Sequence, residues 1–203
     1  MPDPSNTARF QTAIEAFDRA NAEDPQFLTV AGERRPRELL QAERLSAWVN
    51  RLSDQASEAL RLAARCQHLR RWQIPRSAYP EGRVGYLKWR TQLGRFHADT
   101  AAQLLEEAGY DRPLIDEVRR INLKQNLAGN PDAQRMEDAL CLVFLEFEFE
   151  EFHQKYPAEK VVDVLRKTWR KMSAQAHELA LGLPYTAASL ALIQRALEPA
   201  SGE

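Results

Sequence analysis

Apolar residues recur at intervals of three and four along almost the whole chain, and an alternating strand pattern is nearly absent. That periodicity commits the chain to burying helices against helices. Ala8, Phe10, Ala13, Ile14 and Phe17 mark one face of a helix predicted over Thr7–Asn21, stopping before Asp24-Pro25. A short loop with Gly32 and Pro36 leads to a helix over Arg37–Leu52, with Leu39, Leu40, Ala47, Trp48 and Leu52 on its apolar face. Ser53-Asp54 offers a cap for a helix from about Ala56 to Trp72. Pro75, Pro80, Gly82 and Gly85 make Gln73–Gly85 an ordered loop or turn. A long helix from about Tyr86 ends at Gly109, a residue suited to the left-handed stop. Asp111 caps the next, with Pro113 in its first turn, and it runs to about Asn126. Asn130-Pro131 repeats that start signal for a helix reaching Tyr156. Its middle, Ala139–Leu145, is apolar all round and reads as the central buried helix. Pro157 to Met172, a piece recapped at Ser173 and stopped by Gly182-Leu-Pro, and Thr186–Leu197 complete the series.

The expectation is an all-α, single-domain helical bundle of about eight helices. The domain takes in residues 1–203, its core about 7–183, with a C-terminal helix over 186–198 packing on it and a frayed tail at 199–203. A length of 203 residues suits one sizeable core. With 44% hydrophobic residues and a net charge of −1, disorder is excluded for most of the chain. Two cysteines, Cys66 and Cys141, lie in apolar helical stretches and read as buried thiols in a reducing compartment. The start, Met1-Pro-Asp-Pro-Ser-Asn, lacks the basic residues and apolar run of a secretory signal. The longest nearly unbroken apolar run, Ala139–Leu145, is too short to span a bilayer. A cytoplasmic protein with no membrane partner is expected.

The near-zero net charge conceals a segregation. Between Arg61 and Arg95 nine basic residues face a single acid, Glu81, whereas Glu137–Glu151 holds six acids and no base. Solvated faces account for most of these charges. The arginines around the Pro/Gly-punctuated loop differ, because Trp72, Tyr79 and Tyr86 lie among them. A guanidinium fork held in place matches the oxygens of phosphate or carboxylate. Arg71, Arg76, Tyr79, Arg83, Tyr86 and Arg90 are therefore the expected binding residues for a small anionic or phosphorylated ligand. The absence of a basic excess argues against nucleic acid as a partner.

Four histidines are present, and two stand out. His97 is in helical phase with Arg90 seven residues back and Tyr86 eleven residues back, so Tyr86, Arg90, Gly94, His97 and Ala101 form one stripe. His68 lies towards the end of an apolar helix, where a satisfied core histidine is the simpler reading. Asp138 immediately precedes the all-apolar stretch, and a carboxylate there needs a cation, a metal or several donors. Glu43, on the second helix, has the same ambiguity. Glu43, His68, His97 and Asp138 thus form a candidate metal set, with zinc, iron or manganese as the divalent ion such donors suit. No H-E-x-x-H, phosphate loop, G-x-S-x-G, dinucleotide fingerprint or C-x-x-C is present.

Glu43-Arg44, the stretch Ala63-Ala-Arg-Cys-Gln-His-Leu-Arg-Arg-Trp-Gln-Ile-Pro-Arg, Tyr79-Pro, Gly85-Tyr-Leu-Lys-Trp-Arg and Phe96-His resemble an uncharacterised domain family. Its Arg-Trp-x-Ile-Pro-Arg core is specific, and some members are labelled glutamyl-tRNA synthetase-like. Glu137-Asp138, Cys141-Leu-Val-Phe-Leu-Glu and Leu165-Arg-Lys-Thr-Trp-Arg-Lys-Met-Ser fit the same family, so the likeness runs from about Phe10 to Leu183. Helix order and polar positions also resemble the HD-domain superfamily, all-α metal-dependent phosphohydrolases. That resemblance places Glu43 where a first His would bind metal, His97 at an intermediate His and Asp138 at the late Asp. The central pair reads Gln67-His68 or His68-Leu69, so the His-Asp of that pattern is absent.

Two functions are open at this point. One is an HD-like hydrolase of a small phosphorylated or anionic metabolite, with His68 and His97 as catalytic acid or base and a metal at the four donors. The other is a non-catalytic anion-binding or interaction module on a degenerate HD-like scaffold.

Overall fold

The structure, a computed structural model, describes residues 4–125 and 129–198. They form ten α-helices and one two-stranded antiparallel sheet. The predicted tail at 199–203 and the predicted helix end at Asn126 lie outside the described residues. The chain divides into two compact units, residues 1–133 and 134–203. No helix among the described residues is long and apolar enough to cross a membrane.

The first unit holds α1 (Pro4–Ala22), β1 (Phe27–Val30), β2 (Glu33–Pro36), α2 (Arg37–Leu52), α3 (Glu58–Cys66), α4 (Gly82–Glu107) and α5 (Arg112–Asn122). Helix α3 is its centre and packs on α1, α2 and α5. Ala59, Leu60, Leu62, Ala63, Ala64 and Cys66 are all buried, and small residues let the neighbouring helices approach. Phe17, Trp48, Val49, Leu105, Ile115 and Ile121 fill the space around it.

Ser57, and not Ser53, caps α3, accepting from the Leu60 N–H at 3.0 Å. Asp111 caps α5 as its sequence position predicts, and Gly109 ends the long-helix segment with φ +84°. Asp24 is buried and ties the chain entering the sheet to α2: one oxygen accepts from the Gln26 N–H and the other from the Glu38 N–H. The predicted Gly32 loop is a hairpin, with Ala31 and Gly32 at φ 51° and 85°. That pair of positive angles is what a two-residue primed turn between twisted strands requires.

Two helix boundaries need correction. The helix expected to reach Trp72 stops at Cys66, because Arg70 takes up a left-handed φ of 50° and its N–H donates to Asn21 Oδ1. The long helix starts at Gly82, not Tyr86, and runs for 26 residues. Gly85 lets it begin there: a Cβ at this position would lie 1.9 Å from the Pro80 carbonyl oxygen. Arg76 braces the same loop, donating to the carbonyls of Tyr79 and Pro80 at 2.9 Å each.

Helix α6 (Pro131–Val143) crosses the boundary between the units and begins under an Asn130 cap, whose Oδ1 accepts from the N–H groups of Asp132 and Ala133. The helix expected to run unbroken to Tyr156 is interrupted by a π-helical segment at Phe144–Glu148 before α7 (Phe149–Lys155). Most of Ala139–Leu145 is buried, as expected. The second unit continues with α8 (Ala158–Trp169), α9 (Ala174–Leu181) and α10 (Ala187–Leu197), and α10 packs on α7 and α8. The Glu150 carboxylate fastens α10 by accepting from Thr186 Oγ1 at 2.8 Å and Ser189 Oγ at 2.7 Å. Those hydrogen bonds hold its pKa down to about 2.

The count is ten helices among the described residues in place of the expected eight. Gly85→Ala should lower unfolding free energy by about 1–3 kcal/mol through the clash with Pro80. Urea unfolding measures this; an unchanged midpoint would show that the α4 start does not depend on that close approach.

Candidate functional site

Two helix ends in the first unit create the site. Helix α3 finishes at Cys66 and the chain turns through Leu69 and Arg70, while α5 finishes at Asn122 and turns through Lys124 at φ 55°. Apart from Ala31 in the hairpin, Arg70 and Lys124 are the non-glycine residues with positive φ among the described residues. Such angles cost a side-chain-bearing residue on the order of 1–2 kcal/mol, and they persist only where tertiary contacts hold them. Helix α4 packs on α5 and brings His97 to the same place.

His97 is 3% exposed, and its Nδ1 lies 2.7 Å from the Leu69 carbonyl oxygen. A carbonyl only accepts, so Nδ1 carries the proton and donates. Burial lowers the pKa of His97 to about 4, with the Leu69 hydrogen bond opposing and the charge of Arg71 assisting. The ring is therefore neutral near pH 7, and Nε2 is a bare acceptor with no hydrogen-bond partner among the described residues. His68 meets it edge-on, ring centroids 5.8 Å apart. Its pKa lies well below the ordinary histidine value, chiefly from burial and then from the charges of Arg71, His97, Lys124 and Arg90.

Two amides complete the cluster. Gln67 is 8% exposed and donates through Nε2 to the Asn122 carbonyl at 3.4 Å, which leaves its Oε1 buried and unsatisfied. Asn122 is 6% exposed and donates through Nδ2 to Cys66 Sγ at 3.1 Å, leaving its Oδ1 unsatisfied. The reverse orientation of Gln67 would set oxygen against oxygen, so its amide assignment follows from chemistry. The Cys66 thiol faces the Ala63 carbonyl at 3.6 Å and is pushed up to about pKa 12 by burial, so its sulfur is the accepting partner of Asn122.

The expected binding residues separate into two groups. Arg71 and Arg90 act on His68; Arg71 also lies over the Trp89 ring at 5.2 Å and pairs with Glu38 at 3.9 Å. Arg90 reaches the Tyr86 hydroxyl at 3.4 Å, with Tyr86 against Trp89 at 5.9 Å. Arg76 instead spends its guanidinium on the loop carbonyls, one of them from the half-buried Tyr79. Arg83 is exposed in the first turn of α4.

Of the expected metal donors, His68 and His97 meet. Glu43 is engaged by Arg35 at 2.7 Å and Arg65 at 3.9 Å, and Arg65 also holds Asp18. Asp138, in the second unit, accepts from the Ser173 N–H, Ser173 Oγ and Gln134, so it anchors the start of α9. Among the described residues, no group of three or more His, Cys, Asp or Glu is arranged to hold a metal ion. Lys124, Gln67 and Asn122 were absent from the sequence-based site. Nothing in a polar helix end distinguishes them, and the only available signal was the His68–Leu69 neighbourhood that contains Gln67.

The match to a known family covers residues 11–193. The chain belongs to the DUF4202 family, a domain of unknown function. The matched span includes every residue of the cluster just described and reaches into both units. No curated protein and no solved structure matches the chain.

The pKa of His97 sets a pH dependence. Its folded value is about 4 against an ordinary 6.5, so between these the unfolded chain binds more protons than the folded one. Stability should be full above about pH 6.5 and fall towards pH 4, by on the order of 3 kcal/mol from this group. His97→Gln removes the group, and urea unfolding at pH 7 and pH 4.5 should then show a smaller acid loss than the wild type. Equal losses in the two proteins would contradict the neutral buried imidazole.

Proposed function

We propose that the first unit is a binding module for a small anion of phosphate type, on a degenerate HD-like helical scaffold. One observation carries this reading: two guanidinium groups flank one aromatic pair, Arg71 over the Trp89 ring at 5.2 Å and Arg90 at the hydroxyl of Tyr86, whose ring meets Trp89 at 5.9 Å. Like charges gathered beside the half-buried neutral ring of His68 favour an incoming negative charge, and guanidinium forks give it direction. Arg90 contacts Tyr86 through its hydroxyl and its ring and is paired with no carboxylate among the described residues, which leaves its charge for a ligand. The near-zero net charge fits a local site better than a grip on a long polyanion.

A second reading, hydrolysis of a phosphorylated metabolite, is favoured by the bare Nε2 of His97. A neutral imidazole with a fixed tautomer can take a proton from an attacking water. Its basicity is low in the free protein, because burial and Arg71 both disfavour the imidazolium. A bound dianion would oppose that charge and raise the basicity of both rings. The carboxylates of Glu43 and Asp138 are engaged by Arg35 and by Ser173, so the histidines carry this reading without them.

Calorimetry with inorganic phosphate tests the anion site. Arg90→Ala with Lys124→Ala should weaken binding by about 10–100-fold, the range for losing charged hydrogen-bonding partners. Phosphate should also raise the His68 titration point in proton NMR. No heat of binding and an unmoved His68 at millimolar phosphate would overturn the proposal. For hydrolysis, turnover of phosphomonoesters that His97→Gln abolishes is the expected result.

A further inference from the structure

The hairpin of the first unit has two outer edges, and they differ. Val30 and Glu33 close the turn at Ala31-Gly32, and beyond the Phe27–Pro36 pair the Arg37 N–H donates to the Gln26 carbonyl at 2.9 Å. Bonded and unbonded pairs alternate along an antiparallel ladder, so Gln26, Leu28 and Val30 turn their backbone groups towards β2. Phe27 and Thr29 therefore turn theirs to the opposite edge of β1. Among the described residues no hydrogen bond engages the backbone of either, and both are exposed, Phe27 at 46%. On β2 the residues facing outward are Arg34 and Pro36, a charge and a residue without an N–H, which close that edge to pairing. Strand β1, Phe27-Leu-Thr-Val, has no charge, proline or glycine.

Unpaired backbone groups on a strand edge accept another extended strand. A second copy of β1, antiparallel about a two-fold axis at Leu28, satisfies the outward groups of both strands at once. Phe27 then lies opposite the second copy's Thr29, and Thr29 opposite its Phe27, each pair exchanging both N–H···O bonds. The side chains suit this register, with an aromatic beside a β-branched residue on one face and Leu28 against its own counterpart on the other. Arg34 already lies over the Phe27 ring at 4.7 Å and holds it in place. The two copies of Arg34 stand at opposite corners, about three strand spacings of ~4.8 Å apart and beyond the screening length at physiological salt. Arg35 is neutralised by Glu43 at 2.7 Å. Because the β2 edge cannot pair, assembly closes at two copies.

We propose that β1 is a self-pairing edge: two copies of the chain join Phe27–Val30 antiparallel into one four-stranded sheet, in the order β2, β1, β1, β2. This inference is independent of the anion-binding reading above.

So short a strand makes a weak dimer, with a dissociation constant on the order of 10–100 µM. Sedimentation equilibrium of the full chain between about 10 µM and about 1 mM should show monomer giving way to dimer and no larger species. Amide exchange should slow with concentration at Phe27 and Thr29, and stay unchanged at Leu28 and Val30. Thr29→Pro deletes an outward N–H and no bond to β2, and should weaken the dimer about tenfold or more. A melting curve checks that this variant is folded. Leu28→Cys reads the register without relying on proline: in an unbonded pair on the two-fold the Cα atoms lie about 4.5 Å apart, within disulfide reach. Mild oxidation should give a covalent dimer with Leu28→Cys and none with Thr29→Cys, which is offset from its counterpart. Cys66 and Cys141 are buried and leave the background low. A chain that stays monomeric throughout that range, whatever other strand its edge accepts, overturns the proposal. A dimer that Thr29→Pro leaves intact, or that Leu28→Cys fails to cross-link, uses another surface and overturns it as well.

Discussion

The hydrogen bond from His97 Nδ1 to the Leu69 carbonyl holds the first unit's chemistry in place. Leu69 lies just beyond the end of α3, where helix carbonyls lose their partners and must find others. The imidazole supplies the donor and, in doing so, fixes its own tautomer and joins α4 to the end of the central helix. Burial then keeps the ring neutral, and the opposite nitrogen becomes an acceptor by necessity. The Asn21 side chain acts in parallel by receiving the Arg70 N–H, which stabilises the left-handed turn that presents Leu69.

Much of the helical plan was legible because its signals are local. Asp111 and Ser173 bond backbone N–H groups three residues on, and Gly109 relieves its own positive φ, so neighbouring letters suffice. The early end of α3 was not legible, since no Gly or Pro marks it. A contact with Asn21, distant in sequence, decides it. The hairpin was hidden for another reason: Glu33–Pro36 is polar and exposed or half-buried, and Ala31 occupies a position where glycine or asparagine would have announced a turn.

The site was read unevenly, again for physical reasons. Helical phase placed Arg90 and His97 on one stripe, and His68 meets His97. Phase says nothing about what a carboxylate at long range finds. Glu43 meets Arg35 and Arg65, and Asp138 meets the Ser173 cap, so both serve ion-pair and capping roles that look the same in sequence as ligation. Lys124 and Asn122 gain their meaning from the closeness of two helix ends, which no periodicity encodes. The charge segregation resolves similarly. Within its own unit, Glu137 meets Lys171, Glu150 holds Thr186 and Ser189, and Glu151 meets Lys155. On the basic segment Arg65 and Arg76 are structural, and Arg71 and Arg90 are the members that act on the histidines.

The site therefore turns on one protonation state: a neutral His97 with its proton on Nδ1. Nitrogen-resolved imidazole NMR at pH 7, assigned by comparison with His97→Gln, observes it directly. The predicted spectrum has one protonated nitrogen, Nδ1, and an unprotonated Nε2, persisting as the pH is lowered to about 5. An imidazolium with both nitrogens protonated, or a proton on Nε2 alone, would contradict the hydrogen bond to Leu69 and the bare Nε2 on the opposite edge of the ring.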